Sequence, residues 1–123
     1  MISETITREI IRASLKVHSA LGPGLLESAY RACLSHDLAP QELQVQAEVP
    51  LPVRYNGIQL DIGYRIDLVV EDIVVVELKT VNRLLPVHEA QLLSYLRLSN
   101  RPVGLLINFH VPRLRDGIKR MVN

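Results

Sequence analysis

Apolar residues recur at helical spacing over the first part of the chain. Ile6, Ile10 and Leu15, with Ile11 and Val17 beside them, share one side, and Glu4, Arg8, Glu9, Arg12 and Lys16 fill the other. That stripe predicts an amphipathic helix from Ser3 to Leu21, with Ser3 as its cap and Gly22-Pro23-Gly24 as its stop. A second helix is predicted from about Leu25 to Leu38, with Leu26, Ala29, Tyr30, Cys33 and Leu34 on its apolar side and Ala39-Pro40 closing it. The period then drops to two. Val45, Ala47, Val49, Leu51 and Val53 alternate with polar residues and with Pro50 and Pro52. Prolines lack the N–H donor, so this strand, or its second half, belongs at a sheet edge. Tyr55-Asn56-Gly57 is a hairpin signal. It leads to a strand over about Ile58 to Val70, bent near Gly63, then a Glu71-Asp72 turn and a strand from Ile73 to Lys79. Helical spacing returns from Pro86 to Leu98 through Val87, Ala90, Leu93 (or Leu92), Leu96 and Leu98, with Pro86 suited to a first helical turn. Val103 to Phe109 is a short apolar run of the kind buried on both faces of a sheet. The tail from Pro112 to Met121 reads as a short basic helix. The order α-α-β-β-β-α-β predicts one α+β domain over residues 1–123, with a mixed central sheet of about four strands flanked by helices.

Composition narrows the classes. A hydrophobic fraction of 48% is ample for a core, but aromatics are only 4%, so Leu, Ile and Val must fill it. A net charge of +1 gives no basic signature of nucleic-acid binding, although a small charged site would not show in such a sum. Cys33 is the only cysteine, which rules out an intrachain disulfide and a zinc cluster of cysteines. Its apolar neighbours make it a small packing residue rather than a nucleophile. The N-terminus carries an early acid and no apolar core of a secretory signal. No stretch is long and apolar enough to span a membrane. A cytoplasmic protein without membrane contact is the expectation.

Against this apolar pattern, three charges stand out. Asp67, Glu77 and Lys79 lie on strands otherwise built from Ile, Val and Leu, where a charge is costly unless it is paired or bound to metal. Side chains alternate along a strand, so Glu77 and Lys79 share a face. A turn centred on Asp72 sets Asp67 opposite Glu77 and Arg65 opposite Lys79, with Cβ atoms about 4.5–5.5 Å apart. Two such carboxylates are close enough to hold one divalent cation. Without a cation or proton they repel, which raises one pKa. A slip of one residue would put them on opposite faces. The plainer alternative is a buried ion pair on a sheet.

An acid in one strand, Glu-x-Lys in the next, then a helix and a strand, resembles the PD-(D/E)XK nuclease superfamily. Asp67 matches its motif aspartate, and Glu77-Leu78-Lys79 its (D/E)-x-K. Gln91-Leu92-Leu93-Ser94-Tyr95 resembles the Q-x-x-x-Y helix motif of the exonuclease branch. Gly24-Leu25-Leu26-Glu27-Ser28-Ala29-Tyr30 matches the signature of the GxxExxY family. That likeness runs over essentially the whole chain, through His18, Arg65, Ile107-Asn108-Phe109 and Gly117 to Arg120. Only Ala39 to Leu43 departs, in a loop where a glycine is more usual.

The resemblance implies a restriction-endonuclease-like core and a metal-dependent nuclease. Asp67 and Glu77 would hold Mg²⁺ or Mn²⁺, hard ions that prefer oxygen ligands, and the Leu78 carbonyl would add a ligand. Lys79 would position or deprotonate the attacking water, or stabilise developing negative charge. Glu27 is either a further carboxylate approaching the metal or a partner of its helix dipole. Gln91 is a candidate contact to phosphate, nucleotide or Lys79. Tyr95 is a candidate to stack on a base or bond a phosphate, the alternative being a polar pair closing over the sheet. Tyr30, Arg65, His18 and His88 are candidate substrate contacts. Three of them have an alternative: packing for Tyr30, an ion pair with Glu77 for Arg65, a helix C-terminus for His18. The basic tail, Arg113, Arg115, Lys119 and Arg120, is either a backbone track or a solvated face. Nucleic acid is the expected partner, DNA ahead of RNA, and so bare a core is expected to need a second copy or a protein partner for grip. The alternative function is a nuclease fold kept as a binding or assembly module, with little turnover.

Overall fold

The computed structural model describes residues 2–123. Three helices, α1 (Ser3–Leu21), α2 (Glu27–Leu38) and α3 (Pro86–Ser99), pack on a mixed sheet. The strands are β1 (Val45–Pro50), β2 (Val53–Tyr55), β3 (Ile58–Leu60), β4 (Arg65–Val70), β5 (Val74–Lys79), β6 (Val103–Asn108) and β7 (Ile118–Val122). Five of them form the central sheet in the order β1-β4-β5-β6-β7, and β2 and β3 pair as a separate ribbon. Only β5 and β6 run parallel, with α3 as the crossover between them. Every residue of β6 is buried, as its unbroken apolar run requires.

The two faces of the sheet carry two cores. On one, Ile6, Ile10 and Val17 of α1 and Tyr30, Leu34 and Leu38 of α2 meet Leu68, Val70, Val74, Val76 and Leu78. On the other, Leu92, Tyr95 and Leu96 of α3 meet Val69, Val75 and Leu106. Gly104 lets α3 come close, because a Cβ there would lie 2.8 Å from Leu92 Cδ1.

The β4–β5 register follows the expected pairing, with Leu68 facing Val76, Val69 facing Val75 and Val70 facing Val74. The turn between them is held from both sides. Glu71 exchanges hydrogen bonds with Gln44 at 2.8 Å, and Arg101 donates to Asp72 at 2.7 Å.

Four expectations need correction. The sheet has five strands, because the tail is not a helix: after a 3₁₀ turn at Leu114–Gly117 it becomes β7, antiparallel to β6. The long strand over Ile58 to Val70 is two strands, interrupted at residues 61–64, and β1 already ends at Pro50. Ser3 does not cap α1; the helix starts there, after Ile2, with no side-chain cap. Arg65 does not pair with Lys79, since the β4–β5 ladder stops at Leu68 and Arg65 instead faces Pro50 of β1. The edge position expected from the prolines is observed for β1.

One irregularity lies at the heart of the sheet. The β1–β4 ladder pairs Ala47 with Leu68 and Val49 with Ile66 but omits Glu48 and Asp67 between them. Glu48 has φ 51°, a left-handed backbone rare for a side chain of this kind. Strict alternation would send Ile66 to the α1–α2 side with Leu68, yet it packs in the α3-side core with Val49 beside it. The strands switch faces at this break, as bulges beside functional sites do.

Candidate active site

Asp67 sits in that break, and β5 supplies the residues across from it. Where the backbone ladder stops, side chains take over. The Asp67 N–H donates to Glu77 Oε1 at 3.1 Å, and the Leu78 N–H donates to Asp67 Oδ2 at 2.8 Å. The two carboxylates therefore replace two missing backbone acceptors and are locked against each other. Glu77 is only 4% exposed. Burial, and next the charge of Asp67, push its carboxyl up to about 9, so it carries a proton at neutral pH.

Asp67 is half-buried and has a cation nearby. Arg31 Nη1 of α2 lies 3.7 Å from Asp67 Oδ1, and Arg31 Nη2 lies 3.5 Å from Glu48 Oε1. The guanidinium thus bridges the acids of β1 and β4. Arg31 was not singled out from the sequence. Its one signal is position, four residues after Glu27 and so on the same helical face. Glu48 gave no signal, because its place beside Asp67 depends on a backbone break that residue type does not announce.

Lys79 shares its face of β5 with Glu77, on the α3 side. Its Nζ donates to Gln91 Oε1 at 2.8 Å, and Gln91 Nε2 donates to the Tyr95 hydroxyl at 3.2 Å. The helix spacing of Gln91 and Tyr95 thus becomes a relay that fixes the lysine. Burial and then the charge of Glu77 raise the Tyr95 hydroxyl above its ordinary range, so it stays protonated. The end of β5 is also anchored. Asn108, buried at the end of β6, accepts from the Val81 N–H at 3.1 Å and donates to the Val81 carbonyl at 2.8 Å. The Phe109 N–H donates to the Lys79 carbonyl at 2.9 Å.

The other expected residues fall in different places. Glu27 opens α2, half-buried, and no hydrogen bond or ion pair holds its carboxylate among the described residues. No group of three or more His, Cys, Asp or Glu side chains is close enough to hold a metal among the described residues, so Glu27 does not join Asp67 and Glu77 in one cluster. Leu78 is tied through its N–H to Asp67, as above. Tyr30 is fully buried, stacked on Phe109 with centroids 4.3 Å apart. Its hydroxyl donates to the Gly22 carbonyl at 2.5 Å and accepts from the Leu25 N–H at 3.2 Å. That placement makes it a clamp on the turn before Glu27 rather than a substrate contact. His18 is buried too, its Nε2 bonded to the Val111 carbonyl at 2.9 Å and its ring beside Phe109. His88 accepts the Leu85 N–H at 2.9 Å on Nδ1, which caps α3. Arg65 is exposed at the start of β4.

A buried and a half-buried carboxylate facing each other, a lysine held by an amide and a guanidinium at the rim make an oxygen-rich site that can take a cation and an anion side by side. No helix among the described residues is long and apolar enough to cross a membrane. Comparisons with curated proteins and with solved structures give no match. The family model described as the PD-(D/E)XK nuclease superfamily matches residues 4–121, from the first turn of α1 to the last strand. With the α+β architecture in accord with that match, the chain belongs to the PD-(D/E)XK nuclease superfamily.

Proposed function

We propose that this chain hydrolyses phosphodiester bonds in nucleic acid, with Mg²⁺ or Mn²⁺ held by Asp67 and Glu77. The observation that carries this reading is the locked carboxylate pair, in which Glu77 keeps a proton where a cation would otherwise balance the charge. The donors suit such an ion, being carboxylate oxygens that hard cations prefer. The Leu78 carbonyl, and Glu27 through water, are the further ligands we assign. When bound, the ion would lower the pKa of a water and offset the charge on phosphate.

The chain's own groups supply the rest. Asp67 and Glu77 would hold the ion that offsets the charge of the reacting phosphate. Lys79 has three N–H donors and spends one on Gln91. The other two are directed at the attacking water or a phosphate oxygen. Gln91 and Tyr95 keep Lys79 from swinging away. Arg31 or Arg65 would take a flanking phosphate. DNA is the assigned substrate ahead of RNA. The finer kinship we assign is to the GxxExxY family, on Gly24, Glu27 and Tyr30.

The test is calorimetric titration of Mn²⁺ into wild type and Asp67→Ala, beside cleavage of labelled DNA and RNA. Wild type is expected to bind and cut. Asp67→Ala is expected to lose both while remaining folded, and Lys79→Ala to bind the metal but cut about 10²–10⁴-fold more slowly. Equal, negligible heats for both proteins would sink the metal site. Nucleic acid bound but not cut by the metal-loaded wild type would instead mark a binding module.

A further inference from the structure

Tyr64 was not among the residues expected to act, and neither core absorbs it. It is 45% exposed, in a chain with few aromatics. Its ring tilts against Tyr95, with centroids 6.1 Å apart and planes at 59°. Its carbonyl accepts the Leu51 N–H at 2.9 Å, so the backbone beneath the ring is tied to the sheet edge. The preceding Gly63, at φ 102°, turns the chain there in a conformation side chains rarely adopt.

Tyr64 lines two pockets. One, of about 320 Å³, is lined by Val53, Tyr64, Gln91, Ser94, Tyr95 and Leu98. The other, of about 300 Å³, is lined by Leu51, Pro52, Asp61, Tyr64 and Arg65 among others. The first shares Gln91 with the candidate site, where that amide holds Lys79 at 2.8 Å. The second has a cation, Arg65, at its wall. An exposed aromatic shared by two small pockets, one walled by the amide that holds Lys79 and the other by an arginine, has the layout of a track on which bases stack and phosphates pair.

We infer that Tyr64 is a stacking partition for single-stranded nucleic acid, with adjacent bases on its two sides and the connecting phosphate at Arg65. This rests on the reading of the site as a nuclease and specifies its substrate class. A base inside a duplex has both faces covered, so only an unpaired strand or end can present a face to a ring shared by two pockets. DNA and RNA share this chemistry.

The experiment measures anisotropy of short labelled oligothymidylate, oligouridylate, an abasic strand and a blunt duplex, in EDTA so that no cleavage intervenes. Wild type is expected to prefer the strands with bases over both the abasic strand and the duplex. Tyr64→Ala should weaken oligothymidylate binding by about tenfold and leave the abasic strand unchanged, Tyr64→Leu should do the same, and Tyr64→Phe should keep wild-type affinity. Circular dichroism confirms folding of each variant. Equal binding of oligothymidylate and oligouridylate extends the track to both nucleic acids, and loss of one restricts it to the other. Unchanged binding in Tyr64→Ala and Tyr64→Leu, with metal-dependent cleavage intact in wild type, overturns the partition and leaves the nuclease reading standing. Absence of both binding and cleavage in wild type overturns the two together. A change in sedimentation of Tyr64→Ala without a change in binding overturns the partition and assigns the face to protein contact.

Discussion

Glu77 sets the behaviour of the site through a single proton. Its carboxyl rises from 4.5 to about 9 on folding, first because it is buried and then because Asp67 faces it. Between those values the folded chain holds a proton that the unfolded chain has lost. Its contribution to stability is therefore full below about pH 4.5 and lost progressively up to about pH 9. Urea unfolding across that window is expected to show stability falling with pH, at no more than about 1.4 kcal/mol per pH unit. Glu77→Gln, which has the shape of the protonated acid, should flatten the slope. An unchanged slope in that variant would place the proton elsewhere. Loading the site must also expel the proton. Mn²⁺ binding near neutrality is expected to release about one proton per ion, read from heats in buffers of different ionisation enthalpy, and to tighten as pH rises.

At the scale of elements, the site depends on how closely α3 lies on the sheet. Gly104→Ala sets a Cβ 2.8 Å from Leu92 Cδ1 in a fully buried contact. The Leu92 side chain, or the helix that carries it, must then give way, at a cost of up to about 1–3 kcal/mol. Since α3 carries Gln91, the Lys79–Gln91 bond should loosen with it. Chemical denaturation and cleavage measured on this one variant should both fall, whereas a loss of stability with full activity would show the bond to be dispensable. Much of this level was legible in the chain. The alternation on either side of Glu71-Asp72 encodes the hairpin register, and spacing by four put Gln91 and Tyr95 on one face. The tail was misread because β7 is an edge strand with only its first and fourth residues half-buried, which blurs its period of two beneath its basic residues. Arg31 and Tyr64 were invisible because each matters through a neighbour far along the chain: Asp67 for the first, Tyr95 for the second.

The whole molecule is nearly neutral, with 14 basic and 13 acidic residues, so it cannot draw nucleic acid from a distance by net charge. Few cations lie near the site, chiefly Arg31, Arg65 and Lys79, and Arg31 is already shared between two acids. Binding should therefore respond weakly to salt. The plot of log affinity against log salt is expected to slope at about −2 to −3, as for roughly three phosphate contacts. A slope several times steeper would reveal a basic track elsewhere, such as the tail.

The left-handed turn of the backbone at Glu48 also matters for association. The two outer strands of the sheet, β1 and β7, offer unpaired backbone on which another molecule could build. On β7, Lys119 and Arg120 charge the rim, and Lys119 is paired with Glu89 at 2.8 Å. On β1 the backbone leaves its extended path at Glu48, φ 51°, and the strand stops at Pro50. A partner strand would lose register there before it could form a ladder. The kink that makes room for Asp67 is thus also a guard against fibre growth. Glu48→Val, β-branched and unsuited to that conformation, should pull the edge straight, and concentration-dependent light scattering should reveal the clumping that follows.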